Sequence, residues 1–117
     1  MKRTLQLIPI VLAMGCSEYT IPAQHISASQ QSIQRANQTS VTNDSEAAIR
    51  LSTAKRELAE ARTLQAAGEN RHADLMYLRA DADARLAMST ARERGISAEA
   101  QQVREQVREL RNTSYQQ

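Results

Sequence analysis

Apolar side chains return every three or four places along most of this chain, and the majority of them are alanine. Ala47, Leu51, Ala54, Leu58, Ala61 and Gln65 alternate four and three apart; beyond Gly68, Ala73, Tyr77, Ala80, Ala84, Ala87 and Ala91 repeat the pattern. That spacing keeps one face of a helix apolar. No stretch alternates with period two, so no strand is expected. Alanine on the contact face lets two helices approach to the short end of the usual separation of about 8–10 Å. It also limits the core, because burial stabilises by only about 25 cal/mol per Å². The 117 residues hold no Trp and no Phe, and only 17 residues beyond Cys16 are Ile, Leu, Val or Met. The expectation is one small all-α domain, an antiparallel helical hairpin with flanking helices, arranged as a small bundle or coiled-coil-like. Flanking helices, self-association or another protein would complete it.

The punctuation of the chain sets the boundaries. Pro22 suits a first helical turn, where its missing N–H costs nothing; Ile26, Ile33 and Ala36 then predict a helix over 23–37. Residues 38–44 read as a loop. Asn43 followed by Glu46 has the spacing of a capping box opening a helix over 45–67. Glu46 and Arg50 stand in the favourable acid-first order on that helix. Gly68 suits a left-handed cap. A third helix is predicted over 70–94, with Asp81 and Arg85 as a second acid-first pair. It carries a second stripe, Leu75, Leu78, Ala82 and Leu86, which suggests two neighbours. Gly95 is read as its end and Ser97 as the cap of a fourth helix over 98–111, striped by Ala100, Val103, Val107 and Leu110. Residues 112–117 form a polar tail expected to fray. The joint at Gly68-Glu69 is short enough to make the two central helices antiparallel. Leu51, Leu58, Leu78, Leu86, Val103 and Val107 are expected to hold the bundle or dock a partner.

The N-terminus reads as an address. Lys2 and Arg3 precede an apolar run from Leu5 to Ala13, too short to cross a bilayer, which takes about 20 apolar residues. Then comes Ala13-Met14-Gly15-Cys16, with small residues at a cleavage point and the only Cys of the chain. This run resembles the lipobox of bacterial lipoproteins. The resemblance implies that residues 1–15 are a signal peptide, that Cys16 is acylated, and that residues 16–22 tether the helical body (23–111) to a membrane. Two or three acyl chains would hold it stably. Ser17, rather than Asp, resembles the pattern sorted to the outer membrane of Gram-negative bacteria. The protein would therefore be lipid-anchored there, facing the periplasm.

A second resemblance covers Ile26 to Arg94. It rests on Ala54-Lys55-Arg56-Glu57-Leu58-Ala59-Glu60-Ala61 on one arm, Ala67-Gly68-Glu69 at the turn, and Ala80, Ala84, Ala87 and Ala91 on the other arm. It is similar to a bacterial envelope family of Ala-rich helical hairpins of unknown function. Members are small lipoproteins, or segments preceding a wall-binding domain of the outer-membrane-protein-A type. The family brings no catalytic residue. This chain reaches Gln117 without such a domain, so wall contact is expected to pass through a partner of that type. The turn at Gly68 and Ala73 also resembles a tetratricopeptide hairpin, without its Trp and Pro signals.

Composition excludes most chemistry. One Cys rules out a disulfide scaffold, and His25 and His72 are the only imidazoles. His72 and Asp74 are two apart on a helix and do not share a face, and both histidines read as exposed. Asp81 and Asp83 likewise point apart, and no Gly-x-Ser-x-Gly or Ser-x-x-Lys motif occurs. No metal, cofactor or catalytic residue is expected. Without the leader the 15 basic residues lose Lys2 and Arg3, leaving 13 against 13 acidic ones. Arg alternates with Glu and Asp instead of clustering, so no nucleic-acid binding is expected. A non-catalytic envelope interaction, adaptor or structural module is the leading expectation; a small membrane-active lipoprotein and, behind it, a tetratricopeptide-like peptide-binding hairpin are the alternatives.

Overall fold

The computed structural model describes residues 18–116, and these form an all-α fold: α1 (Ala23–Gln38), α2 (Ser45–Ala66) and α3 (Asn70–Ser114). A short 3-10 turn, Ser40–Asn43, links the first two helices inside the stretch predicted as a loop. The described residues contain no strand. The leader and Cys16 lie outside them.

The hairpin turn is built as its sequence predicts. Gly68 adopts φ of 78°, a left-handed conformation that a side chain disfavours. Its N–H reaches the Gln65 carbonyl at 3.1 Å, and the Glu69 N–H reaches that of Leu64 at 2.9 Å. These two bonds make a Schellman ending, which reverses the chain and lays α3 antiparallel to α2. At the other end of α2 the cap is Asp44, not Asn43: the Asp44 carboxylate accepts from the Ala47 N–H at 2.8 Å.

The alanine stripes form the core. Ala47, Leu51, Ala54, Leu58 and Ala61 of α2 are buried against Ala73, Tyr77, Ala80, Ala84, Ala87 and Ala91 of α3. α1 also lies on α3, through Ile33, Ala36 and two fully buried serines, Ser29 and Ser32. Serines fit because their side chains are as small as the alanines opposite. Ser29 donates to the Ile26 carbonyl at 2.8 Å, and Ser32 donates to Asp81, which also pairs with Arg85 at 3.0 Å. Among the described residues no buried hydroxyl is left without a partner, which would cost about 1–3 kcal/mol. α3 is thus the common partner of both shorter helices, and it meets them with small residues.

Three further expectations are corrected. Gly95 does not end a helix: α3 runs unbroken from Asn70 to Ser114, 45 residues, so the helices predicted over 70–94 and 98–111 are one, and the tail from Asn112 is helical to Ser114. Glycine within a helix costs only about 1 kcal/mol relative to alanine, and no proline follows it. The second stripe of α3 meets no neighbour: Leu75, Leu78 and Leu86 are exposed, because the alanine face, nearly opposite, takes both contacts. Finally, part of the predicted tether is packed. Ile21 is buried and Tyr19 lies against the core.

Candidate functional site

Three polar clusters tie the elements together through residues far apart in sequence. The first sits at the hairpin end. The Asp74 carboxylate, buried at the start of α3, accepts from the Tyr19 hydroxyl on one oxygen and from His25 Nδ1 at 2.6 Å on the other. Asn70 adds a bond from its amide to the Tyr19 carbonyl at 2.8 Å, and the Arg71 guanidinium stacks 5.6 Å from the Tyr19 ring. Burial pushes the Asp74 carboxyl up, but the hydrogen bonds from Tyr19 and His25 and the field of His25 outweigh it and hold it below the usual carboxylate range. The same hydrogen bond raises the Tyr19 phenol above its ordinary value. This cluster engages both oxygens of a buried carboxylate and binds the first turn of α1 and the segment before it onto α3. His25 is therefore half-buried and engaged, where the sequence reads it as exposed; His72 is exposed and pairs with Glu69 at 3.0 Å.

The second cluster lies between α2 and α3. Glu57 is buried, its Oε1 lies 3.2 Å from Arg79, and its Oε2 has no hydrogen-bond partner. Burial first, and the neighbouring Asp83 charge second, push its carboxyl above the ordinary glutamate value. A third tie closes the bundle where α3 leaves it: Arg94 lies 3.7 Å from Asp44 and 2.9 Å from Glu46. Glu46 also takes Arg50 at 3.1 Å, as the acid-first spacing predicts, and the two arginines lower its carboxyl.

The six predicted seam residues separate into two groups. Leu51 (2% exposed) and Leu58 (8%) are core. Leu78, Leu86, Val103 and Val107 are 41–51% exposed, so they do not hold the bundle. The physical reason is phase and length. The leucines of α3 fall two residues off its alanine face, and α1 and α2 end before the valines are reached. Beyond Ala91 every residue of α3 is exposed except the half-buried Ala100. Ile96 and Leu110 join the valines on this uncovered part, at 61% and 72% exposure. The exposed leucines, isoleucine and valines of α3 thus lie on its outer face. No helix among the described residues is long and apolar enough to cross a membrane, and no group of three or more His, Cys, Asp or Glu among them is arranged to hold a metal. Cys16 lies outside the described residues. Comparison with models of known protein families, with curated proteins and with solved structures finds no match to this chain.

Proposed function

We propose that the chain is a lipid-anchored envelope protein whose helical body serves as a non-catalytic interaction or adaptor module. Acyl chains on Cys16 would hold it to the periplasmic face of the outer membrane. The observation that carries the reading is the leader itself: a basic start, a short apolar run and Gly15 directly before the only Cys of the chain. The resemblance to Ala-rich hairpin lipoproteins agrees with it. The apolar face left uncovered on α3 supports an interaction role, since contiguous exposed apolar surface marks association sites. Confinement to a membrane raises the effective concentration of such a face for any envelope partner, a wall-binding protein of the outer-membrane-protein-A type among them. The test is the mass of the N-terminal peptide of protein extracted from its own membranes. A peptide beginning at Cys16 and carrying acyl chains supports the reading, and Cys16→Ser should then move the protein to the soluble fraction. An unmodified Cys16 in membrane-extracted protein overturns it.

A further inference from the structure

The uncovered half of α3 carries a heptad of its own. Ile96, Ala100, Val103, Val107 and Leu110 lie four, three, four and three residues apart, on a helix with no neighbour at this level. This is the d-a-d-a-d order of a coiled-coil seam. The flanking positions then follow. Glu99 and Gln106 fall at g, and Arg104 and Arg111 at e. Among the described residues neither Glu99 nor Arg104 makes an ion pair, although Arg108 finds Glu105 at 3.2 Å on the same helix.

We propose that this segment docks against the same segment of a second copy, forming a parallel, in-register two-stranded coiled coil over Ile96–Leu110. The proposal rests on the interaction-module reading and deepens it by naming the partner. Charge selects both partner and direction. In a parallel pair the g residue of one strand faces the next e residue of the other. Glu99 therefore meets Arg104 twice by symmetry, and Gln106 faces Arg111. An antiparallel pair sets e against e, arginine against arginine. A membrane surface fits less well. Residues 92–116 hold five arginines and four glutamates, near balance, whereas helices that lie on anionic bilayers concentrate cations on the polar face. The seam is short, but its helix is continuous with the packed half of α3. Helix nucleation, the costly step for an isolated segment, is already met. Parallel pairing also puts both Tyr19 ends on the same side, as two anchors in one membrane require.

The test uses the full chain, purified in detergent, with single added cysteines. In Val103→Cys and in Leu110→Cys, self-disulfides should form at least about tenfold faster than in Ile49→Cys on exposed α2, because pairing raises the local thiol concentration. The disulfides are mapped by mass spectrometry so that Cys16 is not mistaken for the added thiol. Sedimentation then compares Glu99→Arg, Arg104→Glu and the double reversal; each single change should weaken the dimer and the double should restore it. Circular dichroism checks that each variant keeps its helix. Equal rates at positions 49, 103 and 110, or a single reversal without effect, overturns the proposal. So does crosslinking of Ile96→Cys to Leu110→Cys in a mixture, which marks an antiparallel pair. Acylated Cys16 on a monomeric chain would remove this proposal alone; dimers with an unmodified Cys16 would remove the anchor alone.

Discussion

Asn70–Ala91 and Arg92–Ser114 are successive stretches of one helix, yet they solve opposite problems. The first half meets α1 and α2 with alanines and Tyr77, and turns its leucines outward. The second half meets nothing within the chain and carries Ile96, Val103, Val107 and Leu110 in the open. The comparison separates two properties usually treated as one. Apart from Tyr77, the side chains that α3 buries are there because they are small enough for a close approach, not because they are the most apolar available. The leucines, isoleucine and valines of α3 stand where the chain itself supplies no neighbour.

The sharpest way to break this comparison is to enlarge one alanine in each half. Ala80 and Ala84 are fully buried, and Ala84→Leu should lower stability by about 1–3 kcal/mol through overpacking. Ala98→Leu, on the exposed half, should stay within about 0.5 kcal/mol. Thermal melts followed by circular dichroism distinguish them, and equal effects would mean the two halves are packed alike.

Asp74→Asn comes next. It removes a charge that two donors satisfy and should cost about 2 kcal/mol at neutral pH. Because the folded Asp74 carboxyl sits below its unfolded value, its contribution is present above the ordinary aspartate range and is lost as pH falls through the folded value. The difference between wild type and Asp74→Asn in chemical denaturation should therefore close in acid.

Gly68 and Gly95 give a smaller and oppositely signed pair. A methyl group at Gly68 or at Gly95 would meet nothing within 4 Å, so only backbone preference decides. Gly68→Ala should destabilise by about 1 kcal/mol because of its positive φ, while Gly95→Ala should add roughly 0.5–1 kcal/mol and raise helicity.

Glu57→Gln should give the smallest effect, a modest gain in melting temperature at neutral pH. The folded Glu57 carboxyl is raised, so its ionised form opposes folding above that raised value. The gain should shrink as pH falls through the ordinary glutamate range, below which wild-type Glu57 is protonated in both states.

The helical fold and its alanine core were legible because their period is local and long. Gly68 was legible as a turn for the same reason, a glycine between two striped segments. Gly95 presents the same local signal and means something else: after Gly68 the returning segment finds α2 to pack on, whereas after Gly95 the chain continues straight, and only tertiary contacts distinguish the two. The leucines of α3 were misplaced because transfer energies rank leucine above alanine, while close helix contact reverses the order. The Tyr19–Asp74–His25 cluster joins residues 55 and 49 positions apart, a separation that carries no periodic trace. Its one local hint is an acidic side chain, Asp74, directly beside the alanine stripe at Ala73.

Tyr19 is fastened beside Asn70, the first residue of α3, and Ser114 is the last. Anything joined to the chain before Tyr19 is thus separated from the distal tip by the whole helix, about 67 Å at the usual rise per residue. A stiff rod held at one end sets a distance at the other, so α3 is a gauge as well as a surface. Removing seven residues after Ala91 would shorten that gauge by about 10 Å while returning the same face to the same side. Removing four would shorten it by about 6 Å and leave the face turned by roughly 40°.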